Sequence, residues 1–173
     1  MASKHPEYKV HGNEATADVL FHPHGHRKNI VAISIKDTKS SEKLLDWALN
    51  NIIDRESDTV VLINAHMPDR GVDLAIRGGY IESPLDSENE IERSHGIVNK
   101  FGHQLQDDGY HVQAFSLIGN PGQEIIKKIT ELNVTHLVLG EKGFSSSGKV
   151  IQDNVVKYIT KHCKCAITIV KTT

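Results

Sequence analysis

Cysteine is scarce in this chain, and so are aromatic residues: 2 Cys, 1 Trp, 4 Tyr and 4 Phe among 173 residues. Two cysteines cannot build a disulfide framework, which removes the small secreted scaffolds. An excess of one charge is missing as well. The 20 basic and 22 acidic side chains leave a net charge of −2 with histidine neutral. That balance argues against bulk binding to nucleic acid or to an anionic membrane. No apolar run approaches the roughly 20 residues that span a bilayer. No apolar leader opens the chain, and Glu7, Glu14 and Asp18 do not suit an acid-poor transit peptide. The expectation is a soluble, reduced, cytoplasmic protein.

What is present is ordinary for a globular domain, with 38% hydrophobic and 24% charged residues. The length predicts one domain, or one domain with a tail. Residues 1–27 read as that tail, a flexible one. They are polar and contain Pro6, Pro23, Gly12, Gly25 and five of the chain's 11 histidines, with only Val19-Leu20-Phe21 as an apolar cluster. Such a segment cannot bury enough surface to offset its ordering entropy. The domain then runs over 28–173.

From Lys28 onward the pattern alternates. Asn29–Ile35 is short, apolar and β-branched and reads as a strand. Thr38 to Ser41 offers a helix start, after which Leu44, Leu45, Ala48, Leu49, Ile52 and Ile53 share one helical face. Thr59–Ala65 is a second strand. A polar stretch from Met67 to about Asn89 follows, long for a loop in a compact domain, where such lengths belong to lids, binding loops or disorder. Ile91, Val98, Phe101 and Leu105 make the next helical stripe, stopped by Gly109. His111–Ile118 is a third strand. The turn Gly119-Asn120-Pro121-Gly122 opens a helix with Ile125, Ile126, Ile129 and Leu132 inward. Thr135–Leu139 is a fourth strand, Gly140–Lys149 a Gly/Ser loop, Val155, Val156 and Ile159 mark a last helix, and Cys165–Val170 a fifth strand. Strands alternating with helices predict a doubly wound parallel sheet in three α/β/α layers. Ligands in such folds sit beyond the carboxyl ends of the strands, where strand order reverses.

Several motifs bear on chemistry. Gly140-Glu141-Lys142-Gly143 ends the fourth strand, and glycines there let backbone amides approach an anion. Gly143 to Lys149 fits the G-x-x-x-x-G-K part of a P-loop, but Val150 stands where Ser or Thr should hold Mg²⁺, and no later strand ends in a magnesium-binding Asp. The match reads as chance, although Lys149 and the serines remain available to a phosphate. His22, His24 and His26 alternate, which reads as an adventitious chelator rather than a built site. His162-Cys163-Lys164-Cys165 is open to a soft metal, or Cys165 is a small core residue at a strand start. No nucleophile elbow is present. A slow ATPase is the most an enzymatic reading allows, since no general base can be named.

Three stretches together resemble the universal stress protein family: Asn29–Ser34 with Leu44–Leu49, Gly119–Ile126 leading into Thr135–Gly143, and Val155–Lys171. The resemblance covers about residues 28–171. It implies a five-strand parallel sheet ordered 3-2-1-4-5 and a homodimer built by the last strand, here Cys165–Val170, pairing with its twin. Many members bind ATP through G-x-x-G, nine residues, then G-[S/T] after strand four. Gly140 and Gly143 match the first half. Asp153-Asn154 stand where Gly-Ser or Gly-Thr is expected, and Ser34 replaces an Asp that lies by the adenine. Matching the remaining positions places Ala32, Ile33, Ala65 and Leu139 around base and ribose and Val155 beside the phosphates. In the same way Gly140, Lys142, Gly143, Gly148 and Lys149 fall in the phosphate loop, and Asn154 can cap the last helix and donate to an oxygen.

Two functions follow from the resemblance. One is a nucleotide-binding stress protein holding ATP or AMP, ATP with Mg²⁺, under the Met67–Asn89 loop as a lid. The other is a ligand-free dimeric interaction module, because Asp153 puts negative charge near the expected phosphates.

Overall fold

The computed structural model describes residues 17–20, 28–36, 39–66, 84–141 and 151–171, with backbone alone at 17–20, 84–90 and 151–154. In chain order the elements are β1 (Ala17–Leu20), β2 (Asn29–Ser34), α1 (Lys39–Asn51), β3 (Asp58–His66), α2 (Pro84–Asp107), β4 (His111–Ile118), α3 (Pro121–Glu131), β5 (His136–Gly140), α4 (Ile151–His162) and β6 (Ala166–Val170).

Strand order across the sheet is β1-β4-β3-β2-β5-β6. The five strands from β2 to β6 are parallel and carry the 3-2-1-4-5 order. Alternation along each strand feeds two cores. Val31, Ile33 and Ile35 of β2 and its end pack with Leu44, Leu45 and Ala48 of α1 and with Val98, Phe101 and Leu105 of α2. Ala32 of β2 with Val61, Ile63 and Ala65 of β3 faces the other way, against Ile125 and Ile129 of α3 and Val155 and Ile159 of α4. Both sheet faces are therefore covered, which is why the strands read as continuous apolar runs.

Two findings differ from the sequence reading. Ala17–Leu20, inside the segment assigned to a tail, pairs antiparallel with β4, Ala17 opposite Ser116 and Leu20 opposite Gln113. Strand pairing is non-local, so the free edge of β4 decides it and local composition does not. The stretch from Met67 to Asn89 is shorter as a connection than expected, because α2 begins at Pro84. Proline's fixed φ and missing N–H suit a first helical turn. Residues 67–83, and with them most of the expected lid, lie outside the described residues, as do the histidines of the N-terminal segment.

Turn chemistry sets the remaining boundaries. Gly109 closes α2 at φ +83, with Tyr110 N–H donating to Leu105 O at 2.9 Å. Asn120 caps α3, its Oδ1 accepting from the N–H groups of Gly122 at 3.1 Å and Gln123 at 3.3 Å.

Candidate functional site

The strand order reverses between β2 and β5. The crossover from β2 runs through α1 to β3 on one side, and the crossover from β5 runs through α4 to β6 on the other. The two crossovers therefore diverge at the carboxyl ends of β2 and β5, the switch point of the sheet. Ala32 pairs with Leu137 and Ile33 with Val138, so Ser34 and the Leu139-Gly140 end reach the same edge of the sheet.

Most of the expected site residues that are described lie at this edge. Ser34 and Gly140 end their strands there, Ala65 and Leu139 stand one residue before a strand end, and all four are buried. Ala32 and Ile33 are fully buried and point into opposite cores. Val155 lies in the first half of α4, in the same core as Ala32 and Leu139. Lys142, Gly143, Gly148 and Lys149 lie outside the described residues, and so does the P-loop-like stretch from Gly143 to Lys149.

One expectation is corrected. Asn154 is not the cap of the last helix, because α4 starts at Ile151 and Asn154 is its fourth residue. Asp153 stands beside it in the first turn.

Two features of this edge are not visible in the motifs. Lys36 follows β2 by two residues and is half-buried, and burial lowers its ammonium pKa to about 8. Its backbone N–H donates to Ser41 Oγ at 2.7 Å, which ties the end of β2 to the first turn of α1. Beneath the edge runs a buried polar chain. Asn64 Nδ2 donates to Ile35 O at 2.8 Å, Ser94 Oγ donates to Asn64 Oδ1 at 2.6 Å, and Ser94 also contacts Ser116 Oγ. The chain links β2, β3, β4 and α2 and holds the carbonyl just past Ser34 in one place. Its only trace in the sequence is Asn64, the single polar interruption of the Val60–Ala65 run.

A small open cavity lies elsewhere among the described residues. About 180 Å³ in volume, it is lined by Asn29, Val31, Ile52, Asp58, Thr135 and His136. These residues sit at the amino ends of the strands, opposite the switch point. Asp58 there is satisfied internally, accepting from Asn29 Nδ2 at 2.9 Å and from the Asp54 N–H at 3.0 Å. Among the described residues no three His, Cys, Asp or Glu side chains cluster to hold a metal ion. No described helix is long and apolar enough to cross a membrane.

Comparison with known proteins agrees with this architecture. The profile of the universal stress protein family matches residues 26–171. A universal stress protein of Lactobacillus plantarum superposes with a TM-score of 0.63 at 13% identity, covering 85% of this chain and 100% of that one. A family protein of Arabidopsis thaliana with AMP bound superposes at 0.55 and 16% identity, covering 83% and 91%. A universal stress protein in complex with cAMP gives 0.56 at 15% identity, covering 84% and 98%. No curated protein sequence matches the chain. The chain belongs to the universal stress protein family.

Proposed function

We propose that this universal stress protein binds an adenine nucleotide, ATP with Mg²⁺ or AMP, across the carboxyl ends of β2 and β5, and works as a homodimer. The observation that carries the reading is the placement of Gly140. It ends β5 at the reversal of strand order, beside the end of β2, and the glycine-rich sequence Gly143–Gly148 follows it. Gly140 leaves room for close backbone approach to phosphate. Ser34, Ala65 and Leu139 border the base and ribose in this reading, and Val155, Lys142, Gly143, Gly148, Lys149 and Asn154 border the phosphates. Lys36 adds a positive charge at the same edge. The AMP and cAMP carried by two structural neighbours are in keeping with it.

The Gly140→Val variant tests the site. ATP affinity should fall by tenfold or more, about 1.4 kcal/mol, with the far-UV spectrum retained. Unchanged affinity would place the nucleotide elsewhere.

Asp153 favours a second reading, a nucleotide-free dimeric interaction module. In that case wild-type protein shows no ATP binding, and the double change Asp153→Gly with Asn154→Ser creates it.

A further inference from the structure

The chain has two cysteines, and the fold turns them on each other. Cys163 follows the last turn of α4, and its N–H donates to Ile159 O at 2.8 Å. Cys165 immediately precedes β6. Between them Cys163 Sγ reaches Cys165 Sγ at 3.2 Å and Cys165 O at 3.7 Å. Both are free thiols, and both are only partly buried, along the margin of the core under α3 and α4.

A core role does not explain this arrangement. Filling the margin of an apolar core asks for one small hydrophobe, not two sulfurs in contact. A metal role fails as well, since no third ligand stands with them among the described residues. What two facing thiols can do is exchange with a disulfide.

We propose that Cys163 and Cys165 form a dithiol redox site that a small-molecule disulfide closes to an intrachain bond. The sulfurs must approach from 3.2 Å to a bonded separation of about 2.05 Å, a movement that a three-residue span at a helix end can absorb. The reaction balances in two exchanges. The Cys163 thiolate attacks one sulfur of the small disulfide. That S–S bond breaks, one small thiolate leaves and takes up a proton, and a mixed disulfide remains on Cys163. The Cys165 thiol gives its proton to water, its thiolate attacks the Cys163 sulfur, the mixed S–S bond breaks, and the second small thiolate leaves and takes up a proton. Two protein thiols are oxidised and one disulfide is reduced to two thiols.

Burial and the contact with Cys163 push the Cys165 thiol up to about 12. Cys165 is therefore kept protonated at neutral pH and serves as the resolving thiol in this proposal. Lys161 and Lys164 flank Cys163 in sequence. The second step is intramolecular and so runs at high effective concentration. The loop closed is very short, so the bond constrains the unfolded chain little. It is a reversible bond rather than a structural staple.

The test uses the full chain, reduced and then equilibrated in glutathione buffers of graded ratio. Samples are quenched in acid, alkylated at free thiols and weighed as intact denatured protein. The expected wild-type product in oxidising buffers is an unalkylated monomer two hydrogens lighter, which reverts in reducing buffers. Cys165→Ser, which removes the resolving thiol, should accumulate the glutathione adduct on Cys163 that wild type does not retain. Wild type that keeps two alkylated thiols, holds a stable adduct, or forms only interchain dimers at every ratio would overturn the proposal. The wild-type result stands by itself even where the serine variant folds poorly.

Discussion

Lys36 is kept charged at a place that disfavours charge. Its pKa falls from 10.5 to about 8 because burial strips water from the ammonium. Between those two values the unfolded chain holds more protons than the folded one. The contribution of this group to stability therefore rises with pH from about 8 to 10.5, and below 8 the group is a full liability. Replacing it by Met should raise the melting temperature at pH 7, and the gain should shrink as the pH approaches 10.5. Melting curves across that range check this, and a destabilised variant at pH 7 contradicts it. No sequence motif announces this perturbed charge, because the lowered pKa comes from tertiary burial. Gly140 is the opposite case. Its place at the end of a strand was legible from the alternating pattern of strands and helices.

Among elements, the turn into α3 was the most legible. Gly119-Asn120-Pro121-Gly122 acts through local backbone chemistry, so the cap and the first helical residue follow from the residues themselves. Asn120→Ala should lower stability by about 1 kcal/mol through the lost cap. Gly122 also serves the packing of α3 on α4: a Cβ there would lie 2.9 Å from Cδ1 of Tyr158, whose ring packs on His162 with centroids 4.3 Å apart. Gly122→Ala should then cost roughly 1–3 kcal/mol by overpacking. Urea denaturation measures both, and a neutral Gly122→Ala would mean that the Tyr158 ring yields freely. β1 and the first two turns of α2 were not legible. The pairing of Ala17–Leu20 depends on a β4 edge nearly a hundred residues away, and the polar start of α2 at Pro84 carries no apolar stripe until Ile91.

At the scale of the molecule, the two edges of the sheet differ. β1 covers the β4 edge, and β6 is left at the other with Ile169 44% exposed, the one large exposed hydrophobe among the described residues. An uncovered apolar edge strand invites pairing, and the proposed dimer forms there. Ile169→Lys should shift sedimentation from dimer to monomer, whereas an unaltered dimer would put the interface elsewhere. The alternating order of strands and helices made the doubly wound sheet readable from the sequence, because buried parallel strands need apolar residues on both faces. In the proposed site Gly140 and Lys36 favour an anion, and the negative charge of Asp153 in the sequence opposes one. The most direct test is calorimetric titration of ATP, with and without Mg²⁺, into protein freed of carried-over nucleotide. The account predicts saturable heat with a Kd on the order of micromolar, about −8 kcal/mol. No heat up to millimolar ATP from a folded, nucleotide-free dimer would contradict it.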